Sequence, residues 1–132
     1  MAKFPFKSLR DWVQYLENCG ELVRNSEEVD TRGDIAAISR EIALSEGPAI
    51  IHENIRGYLG WKVFTDGLAT RRRLLLALNL PSENATRIAC ERLEGDPIAP
   101  ITIEKSDAPC KEVALSEKDI DLRKFPLCFT GE

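Results

Sequence analysis

The segment Gly47–Leu80, GPAIIHENIRGYLGWKVFTDGLATRRRLLLALNL, decides the fold of this chain. It contains two β-favouring runs, Ala49–Glu53 and Trp61–Thr65, which are bounded by turn-forming residues. A leucine-rich helix follows at Arg71–Asn79, with Thr70 as its N-cap and a proline after its end. A helix this apolar must be covered on most of its surface. The pattern therefore predicts that this helix and the two strands form the centre of the core, so that Leu76→Ala is expected to cost about 2–5 kcal/mol.

Helical periodicity and capping signals divide the rest of the first 95 residues into further elements. The first predicted elements are a helix from the Ser8–Asp11 capping box to Gly20, a strand at Leu22–Arg24 and an acidic loop at Ser26–Glu28. A second helix is opened by Thr31 and Asp34 and ends at Gly47. A further helix is capped by Ser82 and ends near Glu94, and its predicted inward residues are Ala85, Ile88, Ala89 and Leu93. This order predicts an α/β (α+β) fold, in which a small mixed β-sheet packs with about four helices.

The character of the chain changes after Asp96, where prolines accumulate and helical periodicity ends. Ile101–Ile103 and Glu112–Leu115 are strand-like pieces within this stretch. The sequence thus predicts an α/β domain at residues 1–107 and an extended, proline-containing arm at residues 108–132. The arm ends in an apolar cluster, Phe125–Phe129, which needs a surface to pack against.

Composition limits the classes of function. The chain has 132 residues, 30% of them charged, and a net charge of −4, which argues against nucleic acid or an anionic membrane as the main partner. No apolar run is long enough for a membrane span. The four cysteines, Cys19, Cys90, Cys110 and Cys128, lie far apart and form no CxxC pair. That spacing favours reduced thiols in a cytoplasmic protein over a disulfide or a zinc site.

A catalytic constellation is hard to assemble from these residues. His52 is the only histidine and lies inside a β-run, so a structural or half-exposed role is favoured over that of a general base. Asp119 and Asp121 are more typical of a turn than of a metal site. Glu27 and Glu28 are expected to be solvated, and no glycine-rich phosphate loop is present.

Three consecutive cations, Arg71, Arg72 and Arg73, occupy the first turn of the leucine-rich helix. The helix dipole disfavours positive charge at this end. Two explanations remain open: salt bridges to nearby carboxylates, or contact with an anion or an acidic partner surface. These arginines are the candidate residues for contact with an anion or an acidic partner.

Four segments, in order, carry a resemblance to a known family. Ser8–Trp12 with Gly20–Arg24, Gly47–Gly57, Ala108–Val113 and Asp119–Pro126 resemble successive N-terminal segments of the UbiD-type decarboxylases. Each segment alone is weakly specific, whereas four in the right order are fairly specific. The resemblance extends over nearly the whole chain.

The resemblance implies a non-oxidative carboxy-lyase that acts on aromatic or α,β-unsaturated acids. Enzymes of this family use prenylated FMN, a divalent metal, usually manganese, and a monovalent cation such as potassium. No residue of this chain matches one of the family's catalytic, cofactor-binding or metal-binding positions. The resemblance therefore implies the N-terminal, non-catalytic domain of such an enzyme, inactive alone, with the connecting arm leading toward the cofactor-binding domain.

Two other interpretations remain. The chain is alternatively an accessory or binding subunit that docks on a separate catalytic chain through Arg71–Arg73 and Phe125–Phe129. An independent small enzyme is disfavoured because one histidine offers no complete set of catalytic groups. The apolar end of the arm predicts a homo-oligomer when the next domain is missing, with that end mobile, swapped onto a neighbouring copy or folded back.

Overall fold

A computed structural model describes residues 6–97 and 99–129 of the chain. Four α-helices and one three-stranded sheet make up its regular structure, which confirms the predicted α+β class with a small mixed sheet. In chain order, the elements are α1 (Leu9–Asn18), β1 (Leu22–Val29), α2 (Asp34–Leu44), β2 (Ala49–Ile55), β3 (Val63–Thr65), α3 (Arg71–Ala77) and α4 (Ala85–Leu93).

The strands lie in the order β1-β2-β3, so that the apolar strand β2 is central. β1 and β2 are parallel and joined through α2, whereas β2 and β3 are antiparallel. The predicted acidic loop at Ser26–Glu28 is wrong, because these residues belong to β1. The pairing of β1 with β2 continues past them and shifts register between Asn25 and Glu28, so tertiary pairing overrides their weak β-propensity.

Helix α1 follows its sequence signals. The Ser8 hydroxyl accepts a hydrogen bond from the Asp11 N–H at 3.2 Å, as expected for an N-cap. At the other end Gly20 adopts φ +70°, a left-handed conformation that glycine tolerates without strain. Trp12 and Leu16 are the buried residues of this helix.

Two hydrophobic clusters stabilise the layers. The first joins α1 to the sheet and consists of Trp12, Leu16, Leu22, Ala49 and Ile51, with Phe64, Leu76 and Ala77 packed against it. The second joins α2 to the sheet and consists of Val29, Ile35 and Ile55, with Ile38, Val63 and Cys128 packed against it. Each cluster removes apolar side chains from water, which is the main source of stability in a domain of this size.

Two of the predicted helix caps are wrong. Helix α2 begins at Asp34, where the Asp30 carboxylate accepts the backbone N–H groups of the following loop, so Asp30 and not Thr31 organises this end. Those backbone donors also lower the pKa of Asp30. The N-cap of α4 is Asn84, in a left-handed conformation, and not Ser82.

The leucine-rich helix is not the centre of the core. The side chains of Leu74 and Leu78 remain 42% and 45% exposed, and the buried residue of α3 is Arg73. Leu76 packs against the first cluster but is only partly buried. In α4 the predicted inward residue Leu93 is also exposed, whereas Ala85 is buried. The sequence predicted these helices and the burial of Ala85 correctly, but it did not predict the exposure of Leu74, Leu78 and Leu93.

Residues 99–129, which include the described part of the arm, contain neither an α-helix nor a β-strand. The strands predicted at Ile101–Ile103 and Glu112–Leu115 are therefore wrong. Three short 3-10 turns occur instead, at Lys105–Asp107, Pro109–Lys111 and Leu122–Lys124. Neither piece pairs with the sheet, which consists of β1, β2 and β3, so their β-propensity alone does not make them strands.

The end of the arm folds back onto the domain. The Phe129 N–H donates to the Thr31 carbonyl at 2.8 Å, and the Phe125 ring meets Trp61 edge-on with centroids 5.3 Å apart. Cys128 packs against the second cluster, and burial raises the pKa of its thiol. Of the three arrangements predicted for this tail, the folded-back one is confirmed.

Candidate functional site

Arg73 links three chain segments that meet at one end of the sheet. Its guanidinium is fully buried and donates from Nε to the Asp66 carbonyl at 3.1 Å. Nη1 donates to the Gly47 carbonyl at 2.7 Å and to Glu21 Oε2 at 3.3 Å. These acceptors precede β2 and β1 and follow β3. Arg73 is thereby the group that satisfies the polar backbone at one end of the sheet.

Arg71 and Arg72 face outward from the same turn. Arg72 Nη1 lies 2.8 Å from Glu21 Oε1, so Glu21 contacts two arginines at once. Arg71 Nη2 donates to the Ser82 carbonyl at 3.2 Å and forms no ion pair with a described residue. Both side chains border an open cavity of about 340 Å³. The other residues that line it are Leu75, Leu76, Leu80 and Ser82.

The three arginines thus divide into two roles. The carboxylate of Glu21 supplies the compensating charge that the sequence required, which favours the salt-bridge explanation for Arg72 and Arg73. Contact of Arg71 or Arg72 with an anion or an acidic partner stays a prediction. The sequence analysis did not identify Glu21 as the partner of these arginines. Glu21 and Arg73 are 52 residues apart in the sequence, and only the tertiary fold brings them together.

His52 lies fully buried in the middle of β2. Its Nδ1 is 3.3 Å from the Asn25 side-chain amide on the neighbouring strand. Burial lowers the pKa of His52, and the negative charge of Asp66 opposes this effect in part. The structural role that the sequence favoured fits this enclosed position.

The remaining sequence candidates occupy separate places. Asp119 accepts a hydrogen bond from the Ser116 hydroxyl at 2.6 Å, and Asp121 pairs with Arg123, which lowers the pKa of the Asp121 carboxyl. Glu28 pairs with Arg56 at the surface. Both aspartates therefore stabilise local turns, as the sequence indicated.

The four cysteines are free, and three of them are exposed. Within residues 6–97 and 99–129, no group of three or more histidine, cysteine or acidic side chains is placed to hold a metal ion. None of the helices in this part of the chain has the length and apolarity that crossing a bilayer requires.

Comparison with known proteins places this arrangement in a family. Residues 13–93 match the family described as the 3-octaprenyl-4-hydroxybenzoate carboxy-lyase N-terminal domain, UbiD_N. The chain belongs to the UbiD family. The match begins inside α1 and covers the sheet and α2–α4, which confirms the resemblance predicted from the sequence.

Relatives of this UbiD-type domain are considerably longer proteins. The phenolic acid decarboxylase of Sedimentibacter hydroxybenzoicus is 34% identical over 92% of this chain, which spans 26% of that protein. The open form of vanillic acid decarboxylase from the same organism superimposes with a TM-score of 0.82 at 31% identity, over 96% of this chain and 28% of that one. An evolved dimeric form of the UbiD-class enzyme HmfF from Pelotomaculum thermopropionicum, in complex with prFMN, gives a TM-score of 0.80 at 30% identity, over 96% and 29% of the two chains.

The UbiD-type domain therefore spans between a quarter and a third of these relatives. The superposition covers almost the whole chain, so the arm as well as the layered domain has a counterpart in the solved structures. The fold is that of the family's N-terminal domain, in which the sequence predicted no catalytic residue.

Proposed function

We propose that this chain is the N-terminal, non-catalytic domain of a UbiD-like decarboxylase or carboxylase. The observation that carries the proposal is the match to the family's N-terminal domain, together with a superposition that covers 28% of a much longer decarboxylase chain. In the full enzyme, the substrates are aromatic or α,β-unsaturated carboxylic acids. The relatives named for phenolic and vanillic acids support this class.

The full enzyme uses prenylated FMN, for which the prFMN complex of HmfF is the support. Manganese and potassium complete the cofactor set that we propose for the parent enzyme. The present domain contributes none of their ligands. Its role is to support the cofactor-binding part, which the arm at residues 108–132 reaches from the α/β domain at residues 1–107. We further propose that the protein is cytoplasmic and homo-oligomeric.

A chimera tests this function directly. The matching segment of the Sedimentibacter hydroxybenzoicus phenolic acid decarboxylase would be replaced by residues 1–129 of this chain, and decarboxylation would be measured with prenylated FMN. We expect the chimera to fold and to retain activity, while the isolated chain with the same cofactor has none. Decarboxylation by the isolated chain would overturn the non-catalytic assignment. A folded chimera that binds prenylated FMN but is inactive would overturn the supporting role.

An accessory subunit is the second candidate, favoured by the exposed apolar residues of the arm. Phe125, Leu127 and Phe129 are each about half exposed although the tail folds back. A separately encoded catalytic chain should then co-purify with this one, and Arg71→Glu or Phe125→Ala should weaken the complex. A single reading frame that continues into a cofactor-binding domain would reject this candidate and support the first.

A further inference from the structure

Strand β1 lies at an edge of the sheet. The strand order β1-β2-β3 gives it β2 on one side and no described strand on the other. It is eight residues long, and among residues 23–28 all but Asn25 are exposed. A long exposed edge offers a row of backbone donors and acceptors to another extended segment. The hydrogen-bonding groups of this edge and the side chains beside them therefore decide what pairs with it.

Two hydrogen bonds show which backbone groups of β1 point outward. The Ala49 N–H donates to the Glu21 carbonyl, and the Arg56 N–H donates to the Val29 carbonyl, both at 2.9 Å. Successive residues of a strand direct their backbone groups to opposite sides, so the odd-numbered residues face β2 on both sides of the register shift. The residues whose N–H and C=O groups point away from β2 are Leu22, Arg24, Ser26 and Glu28. Nothing in residues 6–97 and 99–129 pairs with this outward row of backbone groups.

The side chains along this row carry opposite charges. Arg24 and Glu28 are four residues apart in the strand, so both lie on the same face of the sheet. Their side chains are 42% and 53% exposed. Charged residues on an edge strand usually prevent it from pairing. This edge therefore favours a partner strand that presents a charge of opposite sign to each of them.

The sequence of β1 is complementary to itself in one antiparallel register. When two edges join antiparallel, outward-facing residues lie opposite outward-facing residues, with their Cα atoms about 5.5 Å apart. A two-fold axis at Arg24 or at Glu28 would bring like charges together. An axis at Asn25 matches neither charge, and one at Glu27 sets two carboxylates against each other. An axis at Ser26 places Arg24 opposite Glu28 of the second copy, and does so twice.

The ion pairs already present beside this edge fit the register centred on Ser26. Arg24 Nε lies 2.8 Å from Glu17 Oε1, and Arg56 Nε lies 2.8 Å from Glu28 Oε1. When Arg24 lies opposite Glu28 of the second copy, these two ion pairs become neighbours. The charges then alternate in the order Glu17, Arg24, Glu28 and Arg56. Association therefore extends ion pairs that each copy already contains.

We propose that a second copy of this chain pairs antiparallel with the outer edge of β1, about a two-fold axis at Ser26. The two three-stranded sheets then form one continuous sheet across the dimer. The proposal rests on the homo-oligomeric state proposed above and names the surface that forms it. It locates the contact at the edge of the sheet and not at the apolar tail.

Sedimentation equilibrium of the 132-residue chain, from about 1 µM to about 1 mM, measures the association. We expect a monomer–dimer equilibrium with Kd on the order of 100 µM, because a contact between two strands is small for a protein interface. Amide hydrogen exchange locates the contact. Protection at Arg24, Ser26 and Glu28 should rise with protein concentration, whereas protection at Val23 and Asn25, which face β2, should not. An interface through a helix or through the tail would not produce this alternation.

Charge reversal tests the register. Arg24→Glu and Glu28→Arg each set like charges opposite each other twice in a dimer, so each variant alone should dimerise at least about tenfold more weakly. An equimolar mixture of the two variants restores opposite charges at both positions. The mixture should therefore form a heterodimer with about the affinity of the parent chain. Heterodimer formation also shows that both variants are folded, because an unfolded β1 has no edge to offer.

Arg87 and Glu91 provide the matched control. They form an exposed ion pair within α4 and, like Arg24 and Glu28, they are four residues apart. Arg87→Glu and Glu91→Arg make the same changes of net charge outside β1. Each should leave Kd within about twofold of the parent value, because charges distant from the contact are screened by salt.

Several outcomes would overturn the interface. One is a chain that remains monomeric at about 1 mM, and another is a mixture of the Arg24→Glu and Glu28→Arg variants that forms no heterodimer. Association that is lost in Phe125→Ala but retained in Arg24→Glu would locate the contact at the tail instead. None of these measurements involves decarboxylation, so the interface can fail while the chimera remains active, and the reverse.

Discussion

Helices α1 and α3 pack against the same hydrophobic cluster but bury opposite kinds of residue. α1 buries Trp12 and Leu16, which its helical periodicity predicts. α3 has a richer apolar run, yet its fully buried side chain is Arg73. Its position is decided by three acceptors, the carbonyls of Gly47 and Asp66 and the carboxylate of Glu21. The difference teaches that unsatisfied polar groups at the end of a sheet can determine the orientation of a helix more strongly than its hydrophobicity.

The largest expected effect is on the α1 side of this comparison. Leu16 is fully buried in the first cluster, so Leu16→Ala should open a cavity and lower the free energy of unfolding by about 3–5 kcal/mol. Urea denaturation followed by tryptophan fluorescence measures it. Leu9→Ala, on the exposed face of the same helix, is the control and should change stability by less than about 0.5 kcal/mol. Equal effects of the two variants would refute the orientation of α1.

Arg73→Met tests the polar anchor of α3. The substitution preserves much of the side-chain length but leaves the Gly47 and Asp66 carbonyls without their donor, at an expected cost of about 3 kcal/mol. Arg72→Met is the matched control, because the Arg72 side chain is 70% exposed and its pairing with Glu21 contributes about 0–1 kcal/mol. If both variants unfold at the same denaturant concentration, Arg73 is not the anchor of α3.

Sequence patterns predicted the elements of this fold better than their burial. Ser8, Gly20 and Thr70 act locally, through hydrogen bonds or φ angles within a few residues, and each was placed correctly. The full length of β1 was missed because its second half is held by pairing with β2, which propensity does not encode. Strands were wrongly predicted after residue 100 for the converse reason: the residues there have β-propensity, but no strand pairs with them.

In the candidate sites too, local features were predicted from the sequence and contacts between distant residues were not. The arginine run was visible in the sequence because it violates the helix-dipole preference. Its partner Glu21 was not visible, since the contact joins residues far apart in the chain. The lack of a hydrogen-bond partner for the buried Thr65 hydroxyl and His52 Nε2 was not visible for the same reason. A possible signal was the Asp66-Gly67 pair, a turn former placed directly after a strand.

Stability as a function of pH should report on the buried histidine of β2. Burial lowers the pKa of His52 below its ordinary value of 6.5 in the folded chain, so the unfolded chain binds the proton more readily. The free energy of unfolding should therefore be constant above pH 6.5 and fall below it, by at most about 1.4 kcal/mol per pH unit.

The carboxylates act in a separate pH range. The pKa values of Glu53 and Asp30 are lowered from 4.5 and 3.8 by their donors, so the stability they contribute is lost only below those values. Denaturation series at pH 5–8 would thus isolate the only histidine. His52→Gln should flatten the slope whatever its effect on absolute stability, and an unchanged slope would show that His52 is not buried in its neutral form.

The smallest expected effect completes the comparison on α3. Leu74 is 42% exposed, and alanine has at least its helix propensity, so Leu74→Ala should change the free energy of unfolding by less than about 0.5 kcal/mol. Leu76→Ala, two residues on, should still cost about 2 kcal/mol, because Leu76 packs against the first cluster. The two variants remove the same atoms from the same helix, so a difference in their stability reports on the orientation of α3 and not on its amino-acid composition. Equal losses of about 2 kcal/mol would mean that Leu74 is covered as well, and that the apolar run of α3 lies in the core as its sequence first predicted.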